Sequence, residues 1–121
     1  MILVDTSVWV DHLRFGDERM AELLGNGAVV CHPLIVGELA CGGLSRRAET
    51  LRFLRGVPAL PMVSDHEAHA LLENRRLFTL GVGWIDVHLL ASALVGALPM
   101  WTRDLALARA AKLVGLPTAS D

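Results

Sequence analysis

The sequence predicts an α/β fold, in which a short and mainly parallel sheet carries helices on both faces. Short apolar runs alternate with stretches of helical length along all 121 residues, with no internal repeat or linker. Hydrophobic residues make up 53% of the chain and the mean hydropathy is +0.46, which indicates a large core or an additional buried interface. One domain over residues 1–121 is therefore expected, and the apolar content favours a dimer.

The first part of the chain is predicted to alternate two strands with three helices. In order, the expected elements are a strand at 2–5, a helix capped by Thr6 or Ser7 and reaching about Arg14, a helix from Asp17 to Gly25, a strand at 28–31, and a helix from Pro33 to Ala40 or Cys41. Proline suits the first turn of a helix because it has no N–H to leave unpaired there. The glycine pair at 42–43 stops the third helix.

The second part of the chain continues the alternation. The expected elements are a helix capped by Ser45 and reaching Arg55, a short or edge strand within 58–63, a helix capped by Ser64 or Asp65 and reaching Phe78, a helix at 84–95, a strand at 98–101, and a helix at 104–114 before a terminal segment at Pro117. The strand within 58–63 is expected to be short because its prolines donate no ladder hydrogen bond.

Composition and patterning exclude several classes of protein. Cys31 and Cys41 are too few for a disulfide framework and form no CxxC pair, so both are expected to be small buried hydrophobes in a reducing cytoplasm. The first apolar run meets Asp5 at once and has no basic segment before it, which does not fit a signal peptide. Residues 84–101 are apolar but contain Asp86 and His88, which favours a buried helix and strand over a membrane span.

Four acidic residues are unusual because their sequence neighbours are apolar. They are Asp5 after the run 2–4, Glu38 inside 34–40, Asp86 inside 84–90, and Asp104 after the predicted strand at 98–101. The helices that contain Glu38 and Asp86 are apolar nearly all round, so these carboxylates are expected close to the core. Because desolvating an ionised carboxylate costs several kcal/mol, the four acids need protons, cations or positive side chains beside them.

The predicted topology brings these acids toward one edge of the sheet. Asp5 and Asp104 follow strands, and functional groups of parallel sheets gather beyond the carboxyl ends of the strands. Asp86 lies in the first turn of a helix that points into the same crevice, and Glu38 lies within reach one turn beyond Pro33. Oxygen ligands without matching Cys or His suit Mg²⁺ or Mn²⁺, ions that serve phosphodiester hydrolysis.

Each acid also has an ordinary structural interpretation. Asp5 and Asp104 would serve as caps of the helices that follow them. Asp86 would stabilise a helix N-terminus electrostatically, and Glu38 would pair with a buried arginine. All four ordinary roles together are a less economical explanation than one shared site. Thr102 would either orient a substrate oxygen or satisfy its hydroxyl at the end of a strand.

The motifs together resemble a PIN-domain ribonuclease of the VapC toxin type. The resemblance spans nearly the whole chain and is carried by Asp5-Thr6-Ser7 after the first strand, Glu38-Leu39, Asp86 opening an apolar helix that continues Leu90-Ala91-Ser92-Ala93, and Thr102-Arg103-Asp104 after a strand. It implies a PIN-like three-layer α/β/α sandwich. One departure is Leu105-Ala106-Leu107, where the family has an acidic residue and phenylalanine, and this departure affects helix packing rather than the acids.

The resemblance also implies an activity and partners. A protein of this type is a metal-dependent endoribonuclease that dimerises and is inhibited by a cognate VapB-like antitoxin. By that resemblance Asp5, Glu38, Asp86 and Asp104 would be the catalytic residues and would hold Mg²⁺ or Mn²⁺. Thr6, Thr102 and Arg103 would position the RNA substrate.

The charge of the chain is consistent with RNA as substrate once the four acids are set aside. The net charge is −2, and without those four residues it is +2. Bound cations would make the crevice attractive to RNA. The basic residues are ten arginines and one lysine, and the candidates for holding the RNA backbone are Arg46, Arg47, Arg52, Arg55, Arg75, Arg76 and Arg103, with solvated helix faces as the alternative. Trp9 and Trp84 would either stack on bases or belong to the core.

Phosphoaspartate phosphatases and receiver domains also place acids at strand ends, but this chain fits neither pattern well. Phosphoaspartate phosphatases need a second Asp two residues after the first, where this chain has Ser7, and receiver domains need a conserved-position lysine, whereas Lys112 lies in the last helix. A non-catalytic PIN-like module that binds RNA or protein is the alternative outside enzymology. An assay with RNA and Mn²⁺ separates it from a nuclease.

Overall fold

The computed structural model describes residues 1–119 and confirms the predicted α/β architecture. Within these residues four strands and seven α-helices are present: β1 Ile2–Val4, α1 Thr6–Phe15, α2 Glu18–Gly25, β2 Val29–Val30, α3 Pro33–Ala40, α4 Arg47–Gly56, α5 Asp65–Asn74, α6 Trp84–Gly96, β3 Met100–Trp101, α7 Leu105–Leu113 and β4 Thr118–Ala119. A 3₁₀ turn at Leu77–Thr79 separates α5 from α6.

The sheet is parallel throughout and has the order β2-β1-β3-β4. β1 is central, with Ile2 paired to Val29 on one side and Val4 paired to Trp101 on the other. Leu3 and Val4 are fully buried, as expected for a parallel strand covered on both faces. Because β1 and β3 are neighbours with aligned carboxyl ends, the residues after Val4 and after Trp101 meet at one edge of the sheet.

Five of the seven helices within residues 1–119 begin at a side chain that caps the first turn. The side chain of Asp17 accepts from the Met20 N–H at 2.8 Å, and Ser64 forms a reciprocal capping box with Glu67. α1 packs against α3, and α5 packs against α6. Over residues 1–119, no helix combines the length and the apolar character needed to cross a bilayer.

Several predicted boundaries were wrong at caps. Asp5, rather than Thr6 or Ser7, caps α1, because its carboxylate reaches the N–H of Ser7 at 3.4 Å. Ser45 does not cap α4, which starts at Arg47 after a left-handed residue, Arg46, with φ of 48°. In both cases the cap is the residue at which the backbone enters the helical conformation. A run of polar residues in the sequence does not by itself identify that residue.

Two regions of the sheet also differ from the prediction. The segment 58–63 forms a single bridge from Ala59 to Cys31 rather than a strand, because Pro58 and Pro61 supply no N–H to extend the ladder. β4 was not predicted, since Pro117 reads as a terminal turn, although its carbonyl accepts from the Met100 N–H at 3.1 Å. Positions 120 and 121 of the predicted terminal segment lie outside the described residues.

The predicted helix to Phe78 and the predicted burial of both cysteines were wrong in part. α5 ends at Asn74, and Arg76 adopts a left-handed conformation with φ of 53° before the 3₁₀ turn.

Cys31 is buried as predicted, and burial raises the pKa of its thiol. Cys41 is exposed, because it lies at the C-terminal end of α3 beyond the last buried residue of that helix, Leu39.

Candidate active site

Asp5 lies at the end of β1 and is held by hydroxyl donors. Its side chain is 6% exposed, and its Oδ2 atom accepts from the Ser7 hydroxyl at 2.8 Å and from the Thr102 hydroxyl at 2.8 Å. The Asp5 N–H donates to the carbonyl of Trp101 at 2.9 Å, which continues the β1–β3 pairing to this residue. Donors on one oxygen fix the plane of the carboxylate, and hydrogen bonds to its charged form offset its desolvation.

Asp104 follows β3 and is tied to Asp5 through Thr102. The Asp104 N–H donates to the Thr102 hydroxyl oxygen at 3.0 Å, and the same hydroxyl donates to Asp5. The Asp104 carboxylate caps α7 by accepting from the N–H groups of Ala106 and Leu107 at 2.9 and 3.2 Å. The side chain is exposed, so its predicted apolar setting was wrong even though its place at the end of β3 was right.

Asp86 lies in the first turn of α6 and interacts electrostatically with all three other acids. Burial raises the pKa of Asp86 to about 6, and the N–H of Gly83, which donates to its carboxylate at 3.2 Å, opposes that rise. Repulsion from the charges of Asp5, Asp104 and Glu38 makes a smaller contribution to the same rise. The three other acids therefore lie near enough to Asp86 for their charges to act on it.

Glu38 lies on the second turn of α3 and points outward. Its Oε1 atom accepts from the Thr6 hydroxyl at 2.9 Å, which links α3 to the first turn of α1. The prediction that Glu38 lies close to the core was wrong, because α3 buries only the stripe of Ile35 and Leu39 and leaves Glu38, beside that stripe, exposed. A cavity of about 380 Å³ opens beside this pair and is lined by Thr6, Val10, Leu13, Arg14, Glu38, Leu39, Gly42, Gly43 and Leu44.

The crevice contains the oxygen donors of a hard-cation site without forming a closed cage. Three of the four carboxylates also accept backbone N–H groups, as the cap interpretations predicted, and Glu38 accepts a hydroxyl. Among residues 1–119, no group of three or more His, Cys, Asp or Glu side chains lies close enough to hold an ion directly. Mg²⁺ usually keeps several of its waters and binds through one or two carboxylates, so the donor set fits a hydrated cation.

Arg103 holds the loop after β3 in place. Its guanidinium donates to Asp11 at 2.9 Å and to Asp17 at 2.6 Å, and its N–H donates to the Ser7 hydroxyl oxygen at 3.0 Å. Hydrogen bonding from Arg103, followed by that from the Met20 N–H, lowers the pKa of Asp17. Arg103 was expected to contact substrate, whereas in this structure its side chain is engaged with two carboxylates of the chain.

A buried histidine links the two helices that carry Glu38 and Asp86. His32 caps α3 through Nδ1, which accepts from the Leu34 N–H at 3.1 Å, and its Nε2 lies 2.9 Å from the hydroxyl of Ser92 on α6. Ser92 donates to the carbonyl of Pro61 at 3.0 Å, so Nε2 of His32 is the donor to Ser92. Burial, with a smaller contribution from the charge of His88, lowers the pKa of His32 to about 4, and the ring is therefore neutral at pH 7.

Sequence reasoning missed the residues that support the acids. The position of Ser7 two residues after Asp5 is a local signal for a side-chain turn, but the roles of Asp11, Asp17 and His32 depend on distant partners. Trp9 is buried in the core as the favoured interpretation predicted. Trp84 is 40% exposed and its ring lies 4.5 Å from that of His69, so the core interpretation fails for it.

Known proteins share this fold and this sequence pattern. A sequence model of the PIN domain matches residues 2–113. The chain is 44% identical over 122 residues to Ribonuclease VapC32 of Mycobacterium tuberculosis, in strains CDC 1551 / Oshkosh and ATCC 25618 / H37Rv, and the alignment covers 100% of this chain and 98% of that protein.

Two solved structures superimpose on nearly the whole chain. One is a structure of FitAB bound to an IR36 DNA fragment, with a TM-score of 0.67 and 20% identity over 98% of this chain and 94% of that one. The other is FitAcB from Neisseria gonorrhoeae, with a TM-score of 0.67 and 22% identity over 99% of this chain and 97% of that one. At this level of identity the two structures support the fold alone.

Proposed function

This chain belongs to the PIN-domain family and is a ribonuclease of the VapC type, and we propose that it cuts RNA internally with a divalent cation at Asp5, Glu38, Asp86 and Asp104. The observation that supports this site most directly is the electrostatic coupling of Asp86 to the other three acids. A cation beside Asp86 would offset the repulsion that the three other carboxylates exert on it. Oxygen donors favour Mg²⁺ or Mn²⁺.

The chain's own residues orient the reacting groups. A divalent cation in this crevice would stabilise charge on the phosphate oxygens and lower the pKa of a bound water. Ser7 and Thr102 fix the orientation of Asp5, and Thr102 also holds the backbone of Asp104. Thr6 holds Glu38 at the entrance of the neighbouring cavity, where RNA would leave the crevice.

We extend the proposal to partners. A cognate VapB-like antitoxin would inhibit the enzyme by covering the crevice, as the toxin type implies. A homodimer would cover the most exposed large apolar side chains, which are Phe15 at 77%, Leu105 at 72% and Val95 at 70% exposure. The cytoplasm is the proposed location because RNA is the proposed substrate.

The experiment is a cleavage assay on structured RNA. The purified chain is incubated with RNA and Mn²⁺, with RNA, Mn²⁺ and excess EDTA, and in parallel as the variant Asp5→Asn. Parent protein should cleave with Mn²⁺, whereas chelation and Asp5→Asn should each reduce the rate more than about 100-fold. Glu73→Gln, an exposed carboxylate outside the crevice, is the matched control and should cleave like the parent.

The outcomes separate the proposal from its alternative. Equal cleavage by parent and Asp5→Asn would identify a contaminating nuclease. RNA binding without cleavage by the parent, under any divalent metal, would favour the non-catalytic RNA-binding module. Cleavage that survives EDTA would remove the cation from the proposal.

A further inference from the structure

The seven arginines predicted to hold the RNA backbone are not equivalent in the structure. Five are engaged within the chain: Arg46 with Glu49, Arg47 with the carbonyls of Ala40 and Gly42, Arg75 with the carbonyl of Leu113, Arg76 with the ring of Phe78, and Arg103 with Asp11 and Asp17. Within residues 1–119, Arg52 and Arg55 donate to neither a carboxylate nor a carbonyl. Of the seven arginines, Arg52 and Arg55 are therefore the two whose guanidinium groups remain available to bind RNA phosphates.

Arg52 and Arg55 lie on one face of α4 beside an open groove. They are three residues apart, which places them next to each other on the helix surface, and both are exposed. The groove has a volume of about 610 Å³ and is lined by Arg47, Ala48, Leu51, Arg52 and Arg55, with Leu51 buried at its base. Residues 46–55 contain four arginines and one glutamate, in a chain whose net charge is negative.

The groove lies beside the cavity that contains Glu38. Arg47 at its edge donates to the carbonyl of Ala40 at 2.6 Å and to that of Gly42 at 3.2 Å, at the C-terminal end of α3. Gly42 also lines the 380 Å³ cavity that contains Glu38. RNA that lay across the four acids would therefore pass Glu38 and the end of α3 before it reached α4.

A polyanion needs support of this kind beside a cluster of carboxylates. RNA approaching Asp5 and Glu38 is repelled by their charge wherever cations do not offset it. Guanidinium groups hold phosphate through paired N–H donors, and the donors of Arg52 and Arg55 have no carboxylate or carbonyl partner among residues 1–119. Phosphate contacts of this type position a nucleic acid without reading its sequence.

We propose that Arg52 and Arg55 on α4 bind two phosphates of the RNA backbone on the Glu38 side of the scissile bond. The inference rests on the proposed ribonuclease function and adds the surface that holds its substrate. Arg47 contributes to the groove mainly by joining α4 to the end of α3, because its guanidinium is already bound to two carbonyls.

The test measures RNA binding without cleavage. A fluorescein-labelled single-stranded RNA is titrated with parent protein in EDTA, and with the double variant Arg52→Gln/Arg55→Gln, across a series of salt concentrations from about 50 to 200 mM. The variant should bind about tenfold more weakly at the lowest salt. Its slope of log affinity against log salt should fall by about 1.4, because two single-strand phosphate contacts each contribute about 0.7.

A matched variant on another helix controls for charge. Arg109→Gln/Lys112→Gln on α7 removes the same two charges at the same spacing from exposed positions. It should bind RNA within about twofold of the parent, with a slope that is unchanged within about 0.3. An oligonucleotide with an uncharged backbone should bind the parent and the α4 double variant equally weakly.

The outcomes are distinguishable from failure of the proposed function. If the α4 and α7 variants weaken RNA binding equally, the effect is net charge and the groove assignment is overturned. It is also overturned if the α4 variant binds RNA like the parent, including the case in which it loses only an acidic protein partner. If the parent binds RNA through α4 but never cleaves it, the groove stands and the nuclease proposal fails.

Discussion

The two halves of the acid crevice are built differently. At the strand ends, Asp5 and Asp104 share the Thr102 hydroxyl, and Ser7 joins them to the Arg103 loop. On the helices, Glu38 has the Thr6 hydroxyl and Asp86 has the Gly83 N–H as donors. One half is a connected hydrogen-bond network, and the other consists of carboxylates held by the positions of their helices.

The difference shows which carboxylates the protein itself stabilises and which would depend on a cation. Hydrogen bonds of the strand-end half stabilise the charged carboxylate before any ion arrives. In the helix half, burial and repulsion raise the pKa of Asp86, so its charged form gains most from a cation. Loss of hydroxyl donors in the strand-end half should therefore destabilise the metal-free protein, whereas loss of the Asp86 charge in the helix half should stabilise it.

The largest expected effect is from the loss of the Arg103 guanidinium. Arg103→Gln leaves Asp11 and Asp17 without their cation and should lower the free energy of unfolding by about 2 kcal/mol, since both are only partly exposed. Chemical denaturation measures it. Arg46→Gln breaks an exposed pair with Glu49 and should change stability by less than about 0.5 kcal/mol. Equal effects of the two variants would contradict a structural role for the Arg103 contacts.

Next in size is Ser7→Ala, which removes the hydroxyl shared by Asp5 and the Arg103 backbone. It should cost about 1 kcal/mol of stability and slow RNA cleavage about tenfold, as loss of a group supporting a ligand does. Thr6→Ala removes a comparable hydroxyl from the helix half, where its hydrogen bond to Glu38 is exposed. Thr6→Ala should lower the free energy of unfolding by less than half as much as Ser7→Ala. A larger loss of stability in Thr6→Ala than in Ser7→Ala would contradict the proposed difference between the two halves.

Asp86→Asn should change the free energy of unfolding in the opposite direction to the substitutions above. Without metal it should raise the free energy of unfolding by about 1 kcal/mol, after allowance for the partial exposure of the side chain, because it removes a charge repelled by three others. Glu49→Gln is the matched control, since Glu49 is also the third residue of its helix but lies beside Arg46. It should be neutral or slightly destabilising. A clear loss of stability in Asp86→Asn would show that Asp86 serves the fold.

The smallest expected effect is on how the free energy of unfolding depends on pH when the Asp86 carboxylate is removed. With a pKa of about 6 in the folded chain against 3.8 unfolded, Asp86 holds its proton longer when folded. Its contribution to stability therefore falls as pH rises from about 4 to 6. His32, whose pKa is lowered from 6.5 to about 4, acts in the opposite direction over the same range. The measurement is thus the difference between parent and Asp86→Asn unfolding curves without metal, and a difference that is constant with pH would refute the assignment.

Sequence reasoning was strongest where local rules decide the structure. The strands around Leu3 and Met100, the proline start of α3 and the apolar α6 follow from short-range patterns, and the parallel sheet follows from their alternation. The same reasoning placed Asp5 and Asp104 at strand ends, because adjacent parallel strands end at one edge.

The failures concern side-chain direction and distant partners. Glu38 was expected near the core because α3 is apolar nearly all round, yet a short helix on a sheet buries one stripe and leaves the rest outside. The ion pairs of Arg103 were not foreseen, because its partners, Asp11 and Asp17, lie more than 80 positions earlier in the chain. Contacts of that range are set by topology, which residue patterns specify only in outline.

The buried imidazole of His32 has a mechanical consequence. Both of its ring nitrogens are committed, one to the start of α3 and the other to Ser92 in the middle of α6. Its two hydrogen bonds therefore tie the start of α3 to the middle of α6. His32 thereby helps to hold together the helices that carry Glu38 and Asp86, and any cation bound by both acids would depend on that buried link.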